Sequence, residues 1–170
     1  MTLLMTWLVP AAGPERDWLA ATIDRVAAEL DAPRFQPHVT LVATIDSPED
    51  LAVRALTSVA AGVPPVELTL AAIGSEKTYF RSLYLRAEPS AQLLALREAA
   101  QRAWVLDPSP YLPHVSLLYS DIPEKDKHSL IARIGIGRPL TVWFDAVELW
   151  ARDPRGVRSW YRVARVALSG

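Results

Sequence analysis

Pro37-His38-Val39-Thr40-Leu41-Val42 and Pro113-His114-Val115-Ser116-Leu117-Leu118 are nearly the same hexapeptide, written twice in one chain. Four positions are identical, one exchanges hydroxyl for hydroxyl and one aliphatic for aliphatic. The chain has three histidines, and two of them fall at the same place in this repeat. In each copy an apolar residue separates His from Thr or Ser and further apolar residues follow, which predicts buried strands over 38–45 and 113–119. Strand side chains alternate faces with period 2, so His38 shares a face with Thr40 and His114 with Ser116, while Val39 and Val115 point the other way. Two imidazole–hydroxyl pairs facing one cavity would make a reaction site.

The elements around the repeat come in the same order twice. A strand over Leu3–Val9 stopped by Pro10 and a helix from Pro14 to about Leu30 precede the first copy; a helix from Pro89 to about Val105 precedes the second. A helix follows each copy, opened by Pro48-Glu49 and running to about Ala60, or by Pro123-Glu124 and running to about Ile134. Each half then closes on a hairpin: Val66–Ile73 with Tyr79–Arg86, and Leu140–Trp150 with Val157–Leu168. This order predicts an α+β fold of two lobes related by an approximate two-fold axis, one unit over residues 1–170 with no linker.

The 170 residues are 51% hydrophobic and 22% charged, the profile of an ordered globule. A net charge of −1 argues against holding long nucleic acid, DNA included, by phosphate neutralisation, but suits a small anionic ligand. No cysteine is present, which excludes a thiolate metal site and a cysteine nucleophile. The apolar opening, Thr2 to Gly13, lacks the basic start of a signal peptide and no apolar run reaches the length of a membrane span, so a cytoplasmic protein is expected.

Free imidazoles titrate near pH 6.5, so two of them can serve as acid and base at neutral pH. Attack of water on a phosphodiester needs a base on the entering oxygen and an acid on the leaving oxygen, on opposite sides of phosphorus, and a duplicated site matches that symmetry. Thr40 and Ser116 would donate to the non-bridging oxygens where charge builds. A zinc site from His38, His114 and a carboxylate is conceivable, but no two ligands stand at metal spacing, and no metal or cofactor is expected. A single His-x-Thr on an apolar strand is usually a core histidine with a hydrogen-bond partner; the second copy argues for function. His128, among Glu124, Lys125, Asp126 and Lys127, reads as a solvated helix face.

The two H-x-[ST]-aliphatic motifs about half a chain apart resemble the two-histidine phosphoesterases, with the order of elements alike over essentially the whole chain. The likeness is greater to the cyclic phosphodiesterase branch than to the bacterial RNA ligase-like branch. It lies in Pro113-His114-Val115-Ser116-Leu117-Leu118-Tyr119, in Trp7-Leu8-Val9-Pro10 and in Tyr79-Phe80-Arg81-Ser82-Leu83-Tyr84-Leu85. The resemblance implies a bilobal fold with two antiparallel sheets lining a central cleft and helices outside. It also implies hydrolysis of a nucleoside 2′,3′-cyclic phosphate or an ADP-ribose 1″,2″-cyclic phosphate. Carried over by motif, His38 and His114 become the acid–base pair, Thr40 and Ser116 the phosphate binders, and Tyr119 the aromatic hydroxyl beyond the second motif. By the same likeness His114 is the base and His38 the acid, although the internal symmetry allows the reverse.

Alternation along Tyr79–Arg86 puts Tyr79 and Arg81 on one face and Phe80 and Ser82 on the other, and Tyr79 and Arg81 are carried as candidate substrate contacts. One of the six tryptophans is expected at the cleft mouth, and the arginines at 152, 155, 158, 162 and 165 read as solvated hairpin residues. The partner expected is a small cyclic-phosphate nucleotide bound by a monomer, with a bell-shaped pH dependence centred near neutrality. RNA ends or 2′,5′-linked oligonucleotides, or a nucleotide-binding module without turnover, are the alternatives.

Overall fold

A computed structural model describes residues 3–170; Thr2, where the apolar opening starts, lies outside the described residues. The elements run β1 (Leu3–Pro10), α1 (Pro14–Glu29), β2 (Val39–Ile45), α2 (Glu49–Ala60), β3 (Val66–Ser75), β4 (Leu83–Ala87), α3 (Ala91–Ala103), β5 (His114–Leu118), α4 (Glu124–Ile134), β6 (Leu140–Arg152) and β7 (Tyr161–Ala167). Short 3₁₀ turns at Tyr79–Arg81 and Val157–Ser159 precede β4 and β7.

All strand pairs are antiparallel, in the order β1-β2-β5-β4-β3-β6-β7, and β6 also pairs with β1. Six strands therefore close a ring, with β7 added along β6. The two expected sheets are joined into one because β6 is 13 residues long. Its Leu140–Phe144 stretch pairs with β3 and its Phe144–Arg152 stretch with β1. On the opposite side the halves meet at a single residue pair, Val39 and Val115.

One face of the ring is the main core. Leu4 and Leu8 of β1, Val39 and Leu41 of β2, Val115 and Leu117 of β5, and Val147 and Leu149 of β6 are all buried there. Helices cover this face because their apolar residues recur at helical spacing: Leu19, Ile23, Val26 and Ala27 in α1, Ala52, Leu56 and Val59 in α2, Leu93, Leu96 and Ala100 in α3. Ser90 caps α3 by accepting from the Leu93 amide at 3.1 Å. Burial of Val39 and Val115, neither exposed, stabilises the seam by about 2 kcal/mol each. It also commits His38, Thr40, His114 and Ser116 to the other face. No helix of the described residues is long and apolar enough to cross a membrane.

Candidate active site

Antiparallel pairing of Val39 with Val115, continued one residue each way, sets His38 across from Ser116 and Thr40 across from His114. A local two-fold axis passes between the two valines. The histidines stand on the diagonal, a separation of about 7–8 Å at the backbone. One cavity of about 230 Å³ on this face is lined by Thr40, His114, Ser116, Tyr119, Arg81, Trp7, Met5, Ala43, Phe80, Arg152 and Trp160. His38 lies against its wall, stacked on Trp7.

The symmetry extends to a distortion. Against β1, Trp7 pairs with Thr40 but Thr6 with Val42, and against β4, Tyr84 pairs with Ser116 but Leu83 with Leu118. Each His-strand thus bulges just after its hydroxyl residue. The bulge lets Leu41 and Val42, and likewise Leu117 and Leu118, both enter the core. It returns Ala43 and Tyr119 to the cavity side. Strict alternation from Ser116 would have turned Tyr119 into the core, so the bulge is what gives this residue its place beside the histidines.

Both rings are held in the same way. His38 Nδ1 donates to the carbonyl of Gln36 at 2.8 Å and His114 Nδ1 to the carbonyl of Leu112 at 2.7 Å, each two residues back. That fixes one tautomer and leaves each Nε2 of the neutral ring an acceptor. The surroundings differ. Trp7 stacks flat on His38, centroids 3.6 Å apart at 10°, whereas Tyr84 meets His114 edge-on at 5.3 Å and 66°. Burial pushes His38 down to about 3, assisted by repulsion from His114 and opposed by the Gln36 carbonyl. His114 is only half-buried; desolvation lowers it too, the Leu112 carbonyl opposes, the Arg81 charge lowers it further and Glu76 raises it. The cause in both is loss of water around a cation.

Among the remaining predicted residues, Thr40 faces the cavity half-buried. The Ser116 hydroxyl is buried and donates to the carbonyl of Phe80 at 2.9 Å, so it must release that bond to donate to a phosphate. The Tyr119 hydroxyl lies 3.4 Å from His38 Nε2, and its ring stacks on Phe35 at 3.9 Å. Burial raises its pKa, so at neutral pH it is a donor toward that nitrogen. Arg81 lines the cavity with its guanidinium 2.7 Å from Glu76. Tyr79 does not line it; it borders an adjoining groove of about 410 Å³ with Phe80, Arg152 and Trp160. The two-face reading of 79–86 is corrected here: the strand starts only at Leu83, and the 3₁₀ turn before it brings Phe80 and Arg81 to the cavity together.

Arg152 is a second correction. Instead of a solvated hairpin residue it sits at the cavity with its guanidinium 5.7 Å from the Phe80 ring and 5.6 Å from Trp160. Arg162 and Arg165 are also not free: each places an Nη1 3.0 Å from the buried Glu148. Trp160 is the tryptophan at the mouth, and Trp7 and Trp150 stack behind His38. Sequence reasoning missed Phe35 and Glu148, whose partners are distant in the chain. Among the described residues no three His, Asp or Glu side chains come together as a metal would need, and His128 is exposed.

The model of the 2′-5′ RNA ligase superfamily matches residues 9–156, including both His motifs. The chain belongs to that superfamily. Two relatives carry more specific names. A cyclic phosphodiesterase of Arabidopsis thaliana is 24% identical over 106 residues, 62% of this chain and 59% of that protein, so the matched part spans under two thirds of the relative. A 2′,3′-cyclic-nucleotide 3′-phosphodiesterase of Phaeosphaeria nodorum is 30% identical over 144 residues, 73% of this chain and 72% of that protein. A crystal structure of a phosphoesterase matches with a TM-score of 0.66 at 18% identity, each chain 99% covered. E. coli LigT in complex with 3′-AMP matches with a TM-score of 0.63 at 17% identity, again over 99% of each chain. These structures share this chain's fold.

Proposed function

We propose that this 2′-5′ RNA ligase superfamily member is a phosphoric diester hydrolase that opens a small cyclic phosphate, residues 1–170 acting as one two-lobed unit. The observation that carries the reading is the pair of imidazoles crossed about Val39 and Val115, each with Nδ1 tied to a carbonyl and Nε2 left as the acceptor. A binding module needs donors toward phosphate, but not two titrating groups with one fixed tautomer. The relatives named as a cyclic phosphodiesterase and a 2′,3′-cyclic-nucleotide 3′-phosphodiesterase support the same class.

In this mechanism the cyclic phosphate sits between the rings. One imidazole accepts a proton as water's oxygen bonds to phosphorus, and the other gives its Nε2 proton to the ribose oxygen as that P–O bond breaks. Each transfer contributes a factor of roughly 10²–10⁴. His38 suits the base: it is buried and held neutral with Nε2 as the acceptor, and the attacking water would take the place that the Tyr119 hydroxyl holds at that nitrogen. His114 suits the acid: it is half-buried where His38 is buried, so loss of water opposes its charged form less. This reverses the assignment implied by family likeness. Thr40, and Ser116 once released from Phe80, donate to the non-bridging oxygens, and Arg81, which lines the same cavity, adds positive charge.

A second reading has one observation in its favour. The adjoining groove shares Phe80, Arg152 and Trp160 with the cavity, offering rings and a cation to nucleotides upstream of a terminal cyclic phosphate. Comparing nucleoside 2′,3′-cyclic phosphates with short RNAs ending in the same group, by kcat/KM, tests the two readings. Higher kcat/KM on the mononucleotide supports the small substrate, and a steep rise with RNA length rejects it.

A further inference from the structure

Glu148 lies in β6 with no solvent exposure. An isolated carboxylate there would cost several kcal/mol. It is instead surrounded by donors. Arg162 and Arg165 of β7 reach Oε1 at 3.0 Å each, and Trp150 Nε1 reaches Oε2 at 2.8 Å. Gln36 Nε2 approaches the same oxygen at 3.5 Å.

Two of these partners lead to His38. The Trp150 ring stacks on Trp7, centroids 4.4 Å apart, and Trp7 stacks on His38 at 3.6 Å. Gln36 supplies the carbonyl that holds His38 Nδ1. The carboxylate thus stands behind both the ring stack and the tautomer-fixing bond.

The other half of the fold is the internal control. Trp7 pairs with Thr40 on one side and Glu148 on the other; Tyr84, its counterpart, pairs with Ser116 and Gly74. Gly74 can carry no side chain there, because a Cβ would lie 2.6 Å from the Tyr84 ring. The His114 half therefore closes without a buried carboxylate and without a flat stack. The fold does not need Glu148 at this position in both halves; the His38 ring has it alone.

We propose that Glu148 is a positioning residue for His38, locking through Trp150, Trp7 and Gln36 the ring plane and the Nδ1–H tautomer that aim Nε2 at the substrate. The inference rests on the reading of His38 as one of the acid–base pair. Glu148 touches neither substrate nor the reacting atoms, so its loss should act on kcat and not on binding.

The test uses Glu148→Gln, which keeps the shape and removes the charge, and Trp150→Phe, which keeps an aromatic face toward Trp7 and removes the Nε1 donor. Kinetics on a nucleoside 2′,3′-cyclic phosphate and nitrogen-15 NMR of the histidine rings are read together, with thermal melts confirming that each variant is folded. Glu148→Gln should lower kcat about 10²-fold with KM changed less than about twofold. Trp150→Phe should lower it about tenfold, and in both the Nδ1–H of His38 should exchange faster with water than in the parent. Unchanged kcat in either folded variant, a loss carried by KM, or an unaltered His38 proton would overturn the proposal; if Glu148→Gln fails to fold, Trp150→Phe decides alone. Activity surviving His38→Ala would instead defeat the two-histidine reading itself, and the exchange measurement would still report on positioning.

Discussion

Replacing His38 with glutamine should flatten the acid side of the protein's stability curve. His38 titrates near 6.5 when unfolded but is pushed down to about 3 in the fold, chiefly by burial against Trp7. Above pH 6.5 it is neutral in both states and contributes no pH dependence. As pH falls below that value the unfolded chain takes up the proton and the folded chain does not, so stability drops with acid until about pH 3. At full extent the difference amounts to about 5 kcal/mol, and at about pH 4.5 to about 3 kcal/mol. Urea unfolding of wild type and His38→Gln at about pH 7.5 and 4.5 isolates this contribution, because the other titrating groups are common to both proteins. Wild type should lose about 3 kcal/mol more than the variant over that interval. Parallel losses would show that His38 keeps its solution pKa in the fold, since such a histidine has no linkage of this kind.

Four further outcomes are expected. His38→Ala and His114→Ala should each abolish most turnover in folded protein, and the double variant should be little worse than either single one, since both act in one step. Thr40→Ala should raise the barrier by about 3 kcal/mol and Ser116→Ala by less, because the Ser116 hydroxyl is engaged by Phe80; transition-state barriers from kcat/KM make the comparison. The bell in kcat/KM should lie on the acid side of pH 6.5 rather than centre near neutrality, because desolvation lowers both imidazoles in the free enzyme; a pH–rate series at low substrate measures it. Gly74→Ala should displace the Tyr84 ring from His114 and cost kcat, read by steady-state kinetics alongside a melting curve.

Much of this was legible in the chain because the site is a repeat. The duplicated hexapeptide located both histidines and both hydroxyls, and the repeated order of elements gave a two-lobed α+β fold. Helix α1 starts at Pro14 and α4 ends at Ile134, where punctuation and apolar spacing put them. What failed to read was whatever departs from a regular period. The bulges after Thr40 and Ser116 break alternation, and with it the rule for placing Tyr119. The 3₁₀ turn at Tyr79–Arg81 carries apolar and aromatic residues that look like strand, but its period of three turns Phe80 and Arg81 into the cavity and leaves Tyr79 at the rim. Arg152 read as solvated because charge on a hairpin usually is, and Arg162 and Arg165, which are exposed as read, gave no sign of the buried carboxylate they bond. Their roles depend on Glu148 and on the rings of Phe80 and Trp160, contacts across strands that no local pattern encodes.

The most direct test incubates a panel of nucleoside 2′,3′-cyclic phosphates and ADP-ribose 1″,2″-cyclic phosphate with wild type, His38→Ala and His114→Ala in EDTA. Phosphorus NMR follows the conversion. Wild type should turn at least one cyclic diester into a single phosphomonoester isomer with chelator present, and both variants should leave it intact. Conversion that stops with EDTA and returns with added metal, equal conversion by either variant, or no conversion of any member of the panel would contradict the two-histidine mechanism.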